Sequence, residues 1–222
     1  MLKRIVWLLV LVLVAALAYG GWGYRDARVD TPALAARADA LIADGRGGAA
    51  LGPERRALLL AVEDPSFLRH VGFDLTTPGA GATTITQSLA KREGFADFSP
   101  GLKKLRQTGY ALGLEAGLSK PQILALFLDS VPMGRLGDGP DAAWVDGLHA
   151  ASLALYQADP DTLPLRDFAR LVAVMIAPGE LRLSDPGPRL EARVDRILAL
   201  TSGRCTPRDH DDVWLEGCAE AN

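Results

Sequence analysis

The sequence predicts a mainly α protein, with one membrane-spanning helix at the N-terminus and a helical body after it. Three observations carry this. Ile5 to Tyr24 is a run of twenty residues without a charge, the length at which a helix crosses the hydrocarbon core of a bilayer. The rest of the chain is punctuated by Ser, Thr, Pro and Gly at helix-start and helix-stop positions, with apolar residues at three- and four-residue spacing between them. Nowhere do two alternating runs flank a turn, so no strand pair is expected. Of the 222 residues, those beyond residue 25 suffice for one well-cored domain. The net charge of −3 excludes bulk attraction to nucleic acid.

The elements follow in order. Lys3 and Arg4 precede the apolar run, and Arg25-Asp26 closes it. The basic flank keeps the N-terminus in the cytoplasm and sends the body outside it. A retained anchor over residues 1–25 is the favoured reading. A signal peptide cleaved after Ala16-Leu17-Ala18 is the alternative, and either exports the body. Residues 26–51 read as a linker with a connecting helix, capped by Thr31, opened by Pro32 and stopped by Gly45. Pro53 opens the next helix, which stops before Pro65. Residues 75–82 form a loop, and Thr83–Arg92 a helix. Pro100 starts another, with Leu102, Leu105, Gly109 and Leu112 as its buried stripe. Ser119 caps a helix that Pro132 ends, and Gly134–Gly139 is a loop. Helices are expected over Trp144–Tyr156, Leu163–Ile176 and Pro188–Leu200. The domain thus spans residues 52–203, followed by a tail over 204–222. In an oxidising compartment Cys205 and Cys218 pair and staple this tail.

Chemistry concentrates in Ala61–Arg92. Glu63 stands at a helix C-terminus beside Asp64. The negative end of the helix dipole and the neighbouring carboxylate both raise its pKa, as a general base requires. In the helix that follows the Gly-containing loop, Thr84, Gln87, Ser88 and Lys91 share one face. That face is either simply solvated or, with the loop, an anion cradle. Lys91, Arg92, Lys103, Lys104 and Arg106 form a basic group. It reads either as a surface helix or as a diphosphate site.

Taken together, these segments resemble the peptidoglycan glycosyltransferases of family 51 type: the lysozyme-like domain of class A penicillin-binding proteins and of monofunctional transglycosylases. Glu63-Asp64, Phe67, His70, Gly72 and Asp74 match the first motif of that family. Thr83-Thr84-Ile85-Thr86-Gln87 with Leu89 and Lys91 match the second. Lys103-Lys104, Arg106 and Gln107 match the third, and Lys120, Ile123-Leu124 and Phe127-Leu128-Asp129 the fourth. The resemblance implies a lysozyme-like fold and polymerisation of lipid II into β-1,4 glycan strands with release of undecaprenyl pyrophosphate. It implies Glu63 as general base, with position 107 as the second catalytic position. Asp64, Phe67, Thr83, Thr84, Gln87, Lys91, Arg92, Lys103, Lys104 and Arg106 become substrate-binding candidates. It further implies a single-pass protein of the inner membrane with its catalytic domain in the periplasm. Lipid II, nascent glycan strands and other cell-wall synthases would be its partners, and Mg or Mn a candidate cofactor.

Three departures stand out. The second glutamate of the family is Gln107 here, which cannot hold a divalent cation as a carboxylate does. Arg92 replaces the usual Asn. Only six residues separate Asp74 from Gly81, where the family carries a longer segment with a helix. These departures define the alternative, a catalytically degenerate anchored protein that binds lipid II or glycan without polymerising it.

Overall fold

The structure, a computed structural model, describes residues 1–99, 101–137 and 142–219. The expected helix start at Pro100 and the end of the expected Gly134–Gly139 loop lie outside these residues. The described residues form eight α-helices and one two-stranded hairpin: α1 (Leu2–Ala43), α2 (Gly52–Glu63), α3 (Ile85–Glu93), α4 (Lys103–Gly117), α5 (Lys120–Ser130), β1 (Pro132–Leu136), β2 (Ala143–Asp146), α6 (Leu148–Tyr156), α7 (Leu165–Val174) and α8 (Pro188–Thr201).

Helix α1 departs from expectation. It runs 42 residues without a break, and Pro32 lies inside it. Proline removes one N–H from the helix ladder, which normally ends or kinks a helix. Here tertiary contacts hold both sides in line. Asp26 pairs with Arg106 at 2.7 Å, Asp30 accepts from the Tyr110 hydroxyl at 2.6 Å, and Arg37 pairs with Glu93 at 2.6 Å. Leu34, Ala38 and Leu41 are buried in the core. The segment read as a linker is therefore a core helix. The N-terminal part of α1 is exposed, long and apolar enough to cross a membrane.

The crossing of α1 and α4 explains a second departure. Leu102 and Leu105 are 79% and 41% exposed, whereas Gln107, Tyr110, Ala111 and Leu114 are buried. Of the expected stripe Leu102, Leu105, Gly109 and Leu112 only Gly109 is buried, because α1 takes the face carrying Gly109 and Gly113. A Cβ added at Gly109 would lie 1.8 Å from the Gly20 carbonyl oxygen, a distance only glycine permits. Gly109→Ala is expected to push the two helices apart and cost roughly 1–3 kcal/mol, measured as a lower Tm in detergent.

The hairpin is a third departure. β1 pairs antiparallel with β2, Arg135 opposite Trp144 and Gly134 opposite Val145. Trp144 and Val145 were expected in a helix. They favour the half-buried surface of a strand once a partner strand is present, and α6 starts only at Leu148. Helix α7 is the core of the domain: Phe168, Ala169, Leu171, Val172, Ala173 and Val174 are fully buried. It packs on α8, α2 and the hairpin.

Candidate active site

Helix α2 stops at Glu63 because the next residue leaves the helical region: Asp64 has φ −165° and ψ 80° ahead of Pro65. The Asp64 carboxylate then ties this end to the start of α3. It accepts from the Ile85 N–H at 2.9 Å and from His70 Nε2 at 2.8 Å. His70 Nδ1 accepts from the Gly72 N–H at 2.9 Å, so the ring proton is assigned to Nε2. The pair is buried, and it positions Glu63 rather than facing the cleft.

Glu63 lines a cavity of about 350 Å³, together with Thr83, Thr84, Ser88, Arg193 and Val213. Glu63 is half-buried, and its exposed part opens on that cavity. Burial raises its pKa to about 7. Arg193 pulls it down, Asp64 pushes it up, and Arg92 pulls it down. The sequence pointed to the helix dipole and Asp64, and the structure makes enclosure the main cause. A carboxyl with this pKa is a competent proton acceptor near neutrality.

Two guanidinium groups influence Glu63, one buried and one half-buried. Arg193 lies on α8, 2% exposed. Its Nε donates to the Ala173 carbonyl at 3.2 Å and its Nη1 to the Val213 carbonyl at 2.8 Å, while the Trp214 ring lies 5.3 Å from its guanidinium carbon. Burial lowers its pKa to about 10, with Glu63 acting in the opposite sense. Arg92 is clamped by the hydroxyls of Ser88 at 2.7 Å and Ser130 at 3.0 Å, over the Phe127 ring. Its Nη2 is buried without a partner. Burial lowers its pKa also to about 10. Arg92 therefore faces inward, where the sequence pointed to a phosphate-seeking surface charge.

The other expected residues divide. Thr84 lines the cavity, but its hydroxyl is already engaged. It caps α3, accepting from the Gln87 N–H at 3.1 Å and donating to the Gly72 carbonyl at 2.9 Å. Gln87 is buried and its Oε1 accepts from Lys104 at 3.0 Å. The face read as solvated or anion-binding is thus half internal. Lys104 also donates to the Ala82 carbonyl at 3.1 Å, stitching the loop to α4. Burial and the neighbouring Lys91 charge lower its pKa.

The rest of the basic group is dispersed. Lys91 is exposed over the Phe98 ring, and Lys103 donates to the Asp97 carbonyl. Arg106 is committed to Asp26 on α1 and to the Phe95 and Trp22 rings. Phe67 is fully buried behind the cleft, under the Lys120 ammonium. Neither it nor Arg106 lines the Glu63 cavity.

Gln107 is also away from the cavity. It is 1% exposed, and its Nε2 donates to the Gln87 carbonyl at 2.7 Å. An amide makes that bond, whereas an ionised carboxylate would set oxygen against oxygen. Gln107→Glu is expected to lower stability by roughly 1–3 kcal/mol and to bring no gain in activity. Thermal unfolding and turnover measured on the same preparation check this.

A divalent cation does not fit this site. Two guanidinium cations act on Glu63, the Asp64 carboxylate is taken up by His70 and the Ile85 N–H, Gln107 offers no carboxylate, and among the described residues no three His, Cys, Asp or Glu side chains are placed to hold a metal ion.

Sequence reasoning missed Arg193 and Val213. One signal for Arg193 was readable: a charge embedded in the stripe Leu190, Val194 and Ile197 of α8. Val213 carried none, since its place depends on the fold of the tail.

The family model described as Transglycosylase matches residues 49–201. A curated protein named Biosynthetic peptidoglycan transglycosylase, from Citrobacter koseri, is 29% identical over 168 residues, covering 70% of this chain and 66% of the relative. Its namesake from Escherichia coli O81 is 29% identical over 161 residues, covering 67% and 63%. The one from Shigella sonnei is 28% identical over the same length and shares. The chain spans just under two thirds of the length of these relatives.

Proposed function

The chain belongs to the transglycosylase family, and on that premise we propose that it polymerises lipid II into β-1,4 glycan strands. The observation that carries this reading is Glu63: a half-buried carboxyl with a pKa of about 7, opening on a cavity that Thr83, Thr84 and Ile85 at the start of α3 also line.

Glu63 takes the proton from the 4-hydroxyl of the acceptor sugar. The freed oxygen attacks C1 of the donor sugar as the bond from C1 to the pyrophosphate oxygen breaks. C1 inverts, and the lipid pyrophosphate leaves with the bonding pair. Negative charge grows on the leaving group, and cations placed there stabilise the transition state. Lys91 and Lys104 are the candidates, since both stand at the loop and α3 side of the cleft. No step runs through a metal. The N-terminal part of α1 anchors the protein in the inner membrane with the body in the periplasm. That places the cleft near a lipid-linked substrate, and nascent strands and other synthases are its natural partners.

The test is direct. Purified full-length protein in detergent, given labelled lipid II, should produce glycan strands resolved on a gel. If the wild-type protein leaves lipid II untouched with and without Mg²⁺, the reading is wrong.

A further inference from the structure

Beyond α8 the chain turns into a tail that the family match, ending at residue 201, does not include. Cys205 and Cys218 are joined by a disulfide. Inside the loop they close, the Asp212 carboxylate collects the N–H groups of Arg208, Glu216 and Gly217 at 2.9, 2.6 and 2.9 Å. Asp212 and Cys218 are both buried. These bonds make the tail a compact knot rather than a trailing end.

The knot reaches the Glu63 cavity from two sides. On one side it takes hold of the short loop before α3. The Gly79 N–H donates to the Asp209 carbonyl and the Gly81 N–H to the His210 carbonyl, both at 2.8 Å. The approach is close: at Gly81, with φ +61°, an added Cβ would lie 2.4 Å from Val213 Cγ1. On the other side, the Val213 carbonyl accepts from Arg193 Nη1 at 2.8 Å, and the Trp214 carbonyl accepts from Arg196 Nη1 at 3.1 Å. Val213 itself lines the cavity. One tail residue therefore touches both the loop wall and the arginine that acts on Glu63.

Resting on the transferase reading above, we infer that the disulfide-closed tail Cys205–Cys218 is a positioning element of the active site. It holds the short loop before α3 and the Arg193 guanidinium in register with Glu63. Between Asp74 and Gly81 this chain has only six residues, too few to pack a wall of their own, and the tail supplies that support. It acts through Gly79, Gly81 and Arg193, not by touching the reacting atoms.

Two variants test this. Cys205→Ser/Cys218→Ser opens the knot, and Asp212→Ala loosens it with the disulfide intact. Folding is checked by thermal unfolding, and lipid II turnover is followed across pH. In both variants kcat is expected to fall on the order of tenfold, since loosened alignment alone costs that much, while KM changes little. The acid limb of the pH profile should move to higher pH, because a slackened Arg193 favours the charged form of Glu63 less. Amide hydrogen exchange at Gly79 and Gly81 should speed up. A tail that only adds stability would leave the acid limb where it is. If wild type turns over and both folded variants keep its kcat and acid limb, this inference is overturned alone. If wild type shows no turnover, the transferase reading falls and takes the inference with it.

Discussion

Glu63→Gln is expected to abolish glycan polymerisation and to make the protein more stable. Loss of a positioned general base costs roughly 10²–10⁴-fold in rate, and the amide cannot take the acceptor proton. The stability gain follows from linkage. The folded-state pKa of Glu63 is raised from 4.5 to about 7, so the folded state holds the proton more tightly than the unfolded state does. Below about pH 4.5 the carboxyl is neutral in both states and the substitution changes little. Between the two values stability falls as pH rises, and above about pH 7 the full cost remains. That cost is about 3 kcal/mol, which corresponds to roughly 6–12 °C in Tm for a chain of this size. Unfolding scans at pH 4 and pH 8 should therefore give similar Tm values for the two proteins at the lower pH and separated ones at the higher. Equal Tm values at pH 8 would show that the carboxyl is not held where the structure puts it. In the wild-type protein the acid limb of turnover should report an apparent pKa near 7.

Arg193→Met is expected to do the opposite to stability and still suppress activity. Arg193 is buried, donates to two carbonyls from different segments, and is the largest attractive influence on the Glu63 charge. Removing it leaves the Ala173 and Val213 carbonyls without these donors and leaves Glu63 less compensated. The cost is about 3 kcal/mol. Removing a cation raises the pKa of the neighbouring carboxyl, so the acid limb should move to higher pH and activity at pH 7 should drop. A merely structural arginine would lower Tm and leave the limb in place. The two substitutions should also be non-additive: once Glu63 is an amide, losing Arg193 costs less, because the pair is in electrostatic contact.

Much of the helical framework was legible in the residues. Ser119 and Pro121 announce α5 through a capping box with Gln122, Pro188 opens α8, and Pro65 marks the end of α2. These signals are local, a matter of backbone angles and first-turn hydrogen bonds. The errors came where a distant partner decided. Thr31-Pro32 carries every mark of a helix start, yet α1 passes through it because α4 holds the side before it and α3 the side after it. Leu102 and Leu105 have the spacing of a buried stripe, but the glycines of α4 let α1 take the inward face. Trp144 joined a strand because β1 was there to pair with it.

The site divides in the same way. Glu63, Asp64 and Thr84 lie along one short stretch, so their motif was legible, but Asp64 and Thr84 read as substrate ligands and proved to be an anchor and a helix cap. Whether a polar side chain faces the cleft or the interior was not legible. Gln87 and Arg106 look like substrate ligands in the sequence and Gln107 like a catalytic position, and all three are committed inside the protein.

By itself the sequence determined the apolar span, the family motifs, the helix punctuation and the candidate base, Glu63. Tertiary structure alone decided how strong that base is. Burial sets the Glu63 pKa, and burial is contributed by α8, α3 and the tail, which are distant in the chain. Position along the sequence places a carboxyl at the end of a helix. Only the folded chain surrounds it with protein, and brings up the arginines that moderate the cost.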